Sequence, residues 1–477
     1  MTTQNVPQKV SLLERIQSAS GGREILDPAT GEVVGRVPEA TEKDLDAAVA
    51  RAKAAQPGWA ARSDDDRAGL LNAAAEAIEA HAEELAVLLS REQGKPLNGP
   101  NARFEVGACV AWLRATAAFP MDPEVIVDDE SGRAELHHRP LGVIGAIGPW
   151  NWPMMISIWQ IAPSLRMGNT VVIKPSGYTP LSVLGLVEVL NTVLDADVLI
   201  AVPGRGVIGD RLTRHPDIAK IMFTGSTPTG KKIIAAASET VKRLTMELGG
   251  NDAGIVLDDA DPAAIAEDLF WGAFINTGQT CAAMKRLYVP DALYDQVCQA
   301  LVEVAQQMPM GLGLDEANVL GPVQNRAQWE IVDRLVTAAK ESGARILLGG
   351  DPDPQVVAGR GGHFYPTTLV ADIDPDNPLV VEEQFGPVLP IIRYTDLDQA
   401  ITEANSLEVG LGSSVWSSDL GRARGVAAQL EAGTTWINKH GAVDPRVPFG
   451  GAKESGFGLE FGSHGLREVS QPHVISW

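Results

Sequence analysis

The chain has 477 residues, 45% of them apolar, and a net charge of −22 at pH 7. This length exceeds one ordinary domain and predicts two or three, each with its own core. The acidity and the lack of a basic stripe exclude a nucleic-acid binder and argue against anionic membranes as partners. Three cysteines make no disulfide framework, so a reducing, cytoplasmic compartment fits best.

The first fifteen residues, Met1 to Arg15, carry no apolar core of the signal-peptide kind. Residues 41–118 read as helices, Ala-rich with Glu, Arg and Leu at helical spacing, with breaks expected at Gln56-Pro-Gly58 and Gly94-Lys-Pro96. Residues 122–140 read as a hairpin: Val125, Ile126 and Val127, a polar turn, then alternating Ala134, Leu136 and His138. Pro140 to Leu165 carries no charge, but its prolines and Asn151 would break a spanning helix. It is expected to hold a buried strand (Val143 to Ile147), a loop (Gly148 to Pro153) and a buried helix from about Met154. Strands then alternate with helices. Val171 to Lys174, Val198 to Val202 and Ile221 to Thr224 read as strands; Leu181 to Leu194 and Thr229 to Ala237 read as helices. A second alternating region spans about 251–450, with no fixed-period repeat. Such alternation predicts parallel α/β architecture.

Five segments carry chemistry. Cys281 closes the polar turn Asn276-Thr-Gly-Gln-Thr-Cys281, and 34 residues upstream Glu247 precedes Leu248 and a glycine pair. A lone cysteine is ordinarily a small buried hydrophobe, but a thiol on a glycine turn and a carboxylate beside glycines are also the parts of covalent catalysis with a general base. Gly204-Arg-Gly-Val-Ile-Gly209 matches the glycine spacing of a dinucleotide fingerprint. Pro203 precedes it, however, and no suitably placed acidic residue follows about 20 positions on. Gly225-Ser-Thr-Pro-Thr-Gly-Lys-Lys232 looks like a nucleotide-binding P-loop, yet Lys232 stands where a magnesium-holding Ser or Thr is required. Its Ser226 and the free N–H groups of a helix start could still hold a phosphate. Lys174 ends a buried strand, where it is either a solvated strand end or a group that reaches a ribose or phosphate.

In order, Pro149-Trp-Asn151, Lys174-Pro-Ser176, Phe223-Thr-Gly-Ser226, Glu247-Leu-Gly-Gly250, Gly278-Gln-Thr-Cys281, Glu382-Glu-Gln-Phe-Gly-Pro387 and Pro448-Phe-Gly-Gly-Ala-Lys453 resemble the aldehyde dehydrogenase superfamily over nearly the whole chain. The resemblance implies two parallel-sheet α/β domains plus a β-hairpin oligomerisation element. Residues 1–121 and 141–249 would bind the dinucleotide, 250–454 would carry catalysis, and 122–140 with 455–477 would join subunits into a homodimer or homotetramer. It implies a non-acylating enzyme in which Cys281 attacks an aldehyde, Asn151 and the Cys281 backbone N–H hold the oxyanion, and Glu247 activates water. It also implies cofactor contacts from Trp150, Lys174, Ser176, Gly204, Phe223, Gly225, Ser226, Leu248, Glu383 and Phe385, and no metal.

One position departs from the family pattern. Gly177 stands where NAD-preferring members carry a glutamate that binds the adenosine ribose. Its absence removes a charge that would repel a 2′-phosphate, and Arg205 nearby adds attraction, so NAD or NADP is expected. Trp152, Met155, Trp159, Ile275 and His440 to Val447 would line the substrate mouth by resemblance, or simply pack in the core. With no cation cluster there, a hydrophobic aliphatic or aromatic aldehyde is expected. A CoA-acylating enzyme and an inactive binding protein on the same scaffold are the alternatives; Glu247 argues against the first, and intact Cys281, Glu247 and Asn151 against the second.

Overall fold

The computed structural model describes residues 11–17, 21–359 and 361–477. Most of the Met1 to Arg15 stretch lies outside them. Two largely parallel sheets organise the chain. The first orders its strands Gly456–Phe457, Arg243–Glu247, Ile218–Thr224, Val143–Ile147, Thr170–Lys174 and Leu199–Ala201. The second orders Arg345–Leu348, Thr368–Ala371, Val388–Tyr394, Met284–Pro290, Asp252–Val256, Gly412–Trp416 and Thr434–Ile437. Only the first strand named in each pairs antiparallel with its neighbour. The central strands are buried on both faces, so they read as continuous apolar runs rather than alternating ones.

The first sheet has a switch point. From Val143–Ile147 the chain adds Thr170–Lys174 and Leu199–Ala201 on one side, then returns to place Ile218–Thr224 on the other. A crevice opens beyond the carboxyl ends of strands where the order reverses. The turns after those strands, at Gly148–Asn151 and Gly225–Ser226, therefore face one space. The chain passes from Glu247, at the end of one sheet, through Leu248-Gly-Gly250 into Asp252, at the start of the other. Cys281, just before Met284–Pro290, is carried to this junction by the second sheet.

Several expected boundaries move. The helix Glu42–Ala60 runs through Pro57 instead of breaking there. Its last turn is held by tertiary bonds: Gln56 Nε2 donates to the Gly168 carbonyl at 3.2 Å, and the buried Trp59 indole donates to the Leu165 carbonyl at 3.0 Å. The helix expected over Leu181 to Leu194 is Pro180–Leu190, and the strand expected over Val198 to Val202 is Leu199–Ala201. Ile218–Thr224 begins three residues before its expected start.

The hairpin forms, as Glu124–Asp129 against Gly132–Pro140, and Ser470–Ser476 adds a third strand. The expectation that all of 455–477 joins it is corrected. Gly456–Phe457 pairs with Met246 and Glu247 in the first sheet, and Phe461 packs its ring 4.7 Å from Trp159. Glycine permits this route: at Gly456 a Cβ would stand 1.8 Å from the Met246 carbonyl oxygen. No helix among the described residues is long and apolar enough to cross a membrane.

Candidate active site

The crevice at the switch point is a cleft of about 1100 Å³. Its walls carry Lys174, Ser176, Gly177 and Gly204, with Glu383 and Phe385 from the second sheet's side and Trp150 against Phe385. Phe223, Gly225, Ser226 and Leu248 also line it, as do Asn151 and Cys281. Glu247 does not line it; it is buried beneath, 4% exposed.

The turn that bears Cys281 is unusual backbone. Asn276, Thr277 and Gly278 are all left-handed, with φ of 50°, 58° and 75°. Two non-glycine residues in this region cost energy and need surrounding structure to hold them. Asn276 Nδ2 donates to the Asn151 carbonyl at 2.9 Å, the Thr277 hydroxyl accepts the Gly321 N–H at 2.9 Å, and the Gly278 carbonyl accepts Lys285 Nζ at 2.6 Å. Gly278 is required twice over, because a Cβ there would lie 2.1 Å from the Gly386 carbonyl oxygen.

Asn151 and the cysteine turn are tied together. Asn151 Nδ2 donates to the Gln279 carbonyl at 3.0 Å, and the Trp152 indole donates to the Thr280 hydroxyl at 2.9 Å. A side-chain amide has two N–H donors, so one remains for a group in the cleft. The Asn151 carbonyl also accepts Lys95 Nζ at 2.8 Å. Lys95 was missed in the sequence: it stands in Gly94-Lys-Pro96, which reads only as a helix break.

The electrostatics are set by burial. The Cys281 thiol is pushed up to about 12, by burial first and then by the charges of Glu247, Glu383 and Asp252. Glu247 is held well above the carboxylate range by burial and by Glu460. Its Oε1 has no hydrogen-bond partner among the described residues. A buried carboxylate oxygen left open in this way is a ready acceptor for water. Glu460, buried and pushed up to about 8, is another residue that no motif announced. Glu383 is pushed up to about 7 by burial, against the opposing pull of Lys285 and of the Gly250 N–H that it accepts at 3.2 Å.

The cleft suits a dinucleotide. Ser226 precedes the helix Thr227–Ala237 without capping it; its hydroxyl bonds Thr229 Oγ1 at 3.0 Å, its carbonyl accepts the Thr229 and Gly230 N–H groups at 3.0 Å, and the Thr227 N–H is left for a phosphate. Gly177 and Gly206 leave bare wall. The Trp150 and Phe385 rings meet edge to face at 5.4 Å, with Phe385 at a strained φ of 45°. Trp152, Met155 and Trp159, expected at the substrate mouth, are buried at 2–6% exposure and do not line the cleft. Cys281 and Ile275 pack against the core that contains Trp152, Met155, Trp159 and Phe461. The 440–447 stretch does not line the cleft: the buried His440 side chain pairs with Ser414 Oγ at 2.9 Å, and Asp444 holds Arg446 at 2.6 Å.

The chain was compared with known proteins. Residues 16–475 match the sequence profile of the aldehyde dehydrogenase family. A phenylacetaldehyde dehydrogenase of Pseudomonas fluorescens is 38% identical over 463 residues, covering 94% of this chain and 90% of the relative. A betaine aldehyde dehydrogenase of Rhizobium etli is 38% identical, covering 95% and 93%. Among solved structures, the NAD+ complex of a Bacillus cereus aldehyde dehydrogenase superposes with a TM-score of 0.91 at 35% identity, covering 96% and 93%. An NADP-dependent enzyme of E. coli superposes with a TM-score of 0.92 at 32% identity, covering 97% and 96%. Covered over nearly its whole length by family sequence and family fold, this chain belongs to the aldehyde dehydrogenase family, enzymes that oxidise aldehydes to acids with NAD or NADP.

Proposed function

We propose that the chain oxidises a hydrophobic aliphatic or aromatic aldehyde through a thioester on Cys281. The observation that carries this reading is the meeting of Cys281 and Asn151 on the wall of the dinucleotide cleft, linked through Gln279, with the open carboxylate of Glu247 buried behind them. Lys174, Ser176, Gly177 and Gly204 would hold the adenosine end of NAD(P). Phe223, Gly225, Ser226, Leu248 and Trp150 would face its phosphates, and Glu383 and Phe385 its nicotinamide end. When bound, the nicotinamide supplies a hydride acceptor.

The chain's own residues do the rest. A thiol pushed up to about 12 rests protonated, so Cys281 needs a base, and Glu247 is the candidate. The Cys281 sulfur bonds to the aldehyde carbon, and the oxyanion takes N–H donors from Asn151 Nδ2 and the Cys281 backbone. Pre-aimed donors of this kind contribute about 3–4 kcal/mol each. Departure of hydride from that carbon leaves the thioester. Glu247 passes the thiol's proton to solvent and then takes one from water as the hydroxide attacks the thioester carbon; the acid leaves, and the Cys281 thiolate recovers its proton from Glu247.

Support for an apolar substrate comes from the phenylacetaldehyde relative and from the aromatic core against which Cys281 and Ile275 pack. The betaine aldehyde relative names the contrasting substrate, a fixed cation. The test is cofactor reduction by the purified protein with hexanal, phenylacetaldehyde, betaine aldehyde and a carboxylate-bearing aldehyde, each with NAD or NADP and with or without CoA. Preference for the first two without CoA supports the reading. Preference for a charged aldehyde overturns the substrate class, and dependence on CoA overturns hydrolysis by Glu247.

A further inference from the structure

We infer that Arg23 and Arg205, held together on the carboxylate of Glu39, form a seat for the 2′-phosphate of NADP at the Gly177 end of the cleft. This rests on the cofactor reading above and adds to Arg205 two residues far from any cofactor motif, Arg23 and Glu39.

The wall at Gly177 is bare. A Cβ built there would meet only one atom within reach, Arg23 Nη2 at 4.0 Å. Arg23 opens the strand Arg23–Leu26, and Arg205 precedes the helix Gly206–Arg214; both line the cleft with Gly177 and Tyr178. The same oxygen, Glu39 Oε1, accepts Arg23 Nε at 2.8 Å and Arg205 Nε at 3.2 Å. Glu39 thus fixes both guanidinium planes through their Nε atoms. Among the described residues the terminal nitrogens of both have no hydrogen-bond partner, which leaves two forks of the shape that recognises phosphate. Lys174 stands close by, with Nζ donating to the Pro175 carbonyl at 2.7 Å and the Gly204 carbonyl at 3.4 Å.

The charges favour a dianion. Two guanidinium groups and one carboxylate leave a net positive charge, and Lys174 adds to it. The one other acid on this part of the lining, Asp210, is paired with Arg214 at 3.1 Å. A cationic rim on a chain of net charge −22 needs a reason, and an adenosine ribose without a 2′-phosphate offers none. The two arginines should contribute unequally. The Arg23 side chain is 23% exposed and Arg205 68%, so water screens Arg205 more.

The test is equilibrium binding of two fragments, adenosine 2′,5′-bisphosphate and 5′-AMP, measured by titration calorimetry. Wild type should bind the bisphosphate more tightly. Arg23→Ala should weaken the bisphosphate by roughly tenfold or more and AMP by less than about twofold, the AMP value serving as the control for folding. Arg205→Ala should cost about threefold, and Glu39→Gln should tighten the bisphosphate by removing an opposing charge. Gly177→Glu should cancel the preference by pairing with Arg23. Equal loss of both fragments in Arg23→Ala, or equal affinity of both for wild type, overturns the seat and leaves the cofactor reading standing. Failure of wild type to bind AMP at all overturns the cofactor reading itself.

Discussion

Burial pushes Cys281 and Glu247 both towards their uncharged forms, and the Glu247 charge raises the thiol further. Covalent chemistry here depends on one proton moving at the right time rather than on a standing thiolate. Cys281→Ala should abolish aldehyde oxidation while leaving AMP binding within about twofold, because the sulfur bonds the substrate and not the dinucleotide; turnover in that variant would sink the mechanism. Glu460 gives a second test. Glu460 is itself pushed up to about 8 by burial, and its charge raises Glu247 further. Glu460→Gln removes that charge, so Glu247 should ionise at lower pH. The alkaline rise of the hydrolytic rate should move towards neutral pH, as read from rapid-mix and steady-state rates between pH 6 and about 10. An unmoved profile would mean that Glu247 does not set it. The residues proposed to perform chemistry stood out in the sequence because each sits on or beside a glycine turn of fixed composition. Glu460, Lys95, Arg23 and Glu39 were not, because they reach the site from segments distant in sequence and leave no local pattern.

The helix Pro153–Arg166 begins without a cap of its own: Trp152 makes no side-chain bond to it. A carboxylate from another helix does that work. Glu105 Oε1 accepts the N–H groups of Met154 and Met155 at 2.8 and 3.1 Å, and its other oxygen holds Lys95 Nζ at 2.6 Å. Both side chains are fully buried, and Lys95 also lies 3.5 Å over the Trp152 ring. This pair fixes the start of the helix and, through the Asn151 carbonyl, the residue before it. Removing one partner of a buried pair costs about 3–5 kcal/mol. Lys95→Met should therefore lower the urea midpoint markedly and reduce kcat more than KM, because Asn151 loses its anchor. Unchanged stability would place the pair in solvent. Buried strands such as Val143–Ile147 were legible from continuous apolar runs, whereas Gly456–Phe457, two residues long, is too short to show any period.

At the scale of the whole molecule, the three-stranded sheet of Glu124–Asp129, Gly132–Pro140 and Ser470–Ser476 is an anomaly in this chain. Neighbouring residues of a strand point to opposite faces, yet Val474 and Ile475 are 59% and 41% exposed, and Val125, Ile126 and Val127 are exposed in succession. A sheet with apolar groups bare on both faces lacks the packing that makes such a sheet stable in water. Its pairing is nevertheless sound. Val474 stands opposite Leu136, and Trp477 exchanges backbone bonds with Arg133 at 2.9 Å in each direction. The sheet thus reads as preformed and waiting for a surface, and a second copy of the chain is the proposed one, in a homodimer or homotetramer. Val474→Asp with Ile126→Asp should turn the oligomer into monomers, read as molar mass by light scattering after size exclusion. Cys281 and the cleft lie in other parts of the fold, so AMP binding should persist in the monomer. A wild type that runs as a monomer at micromolar concentration would remove the role proposed for this sheet, and an oligomer untouched by two new charges would put the subunit contact elsewhere.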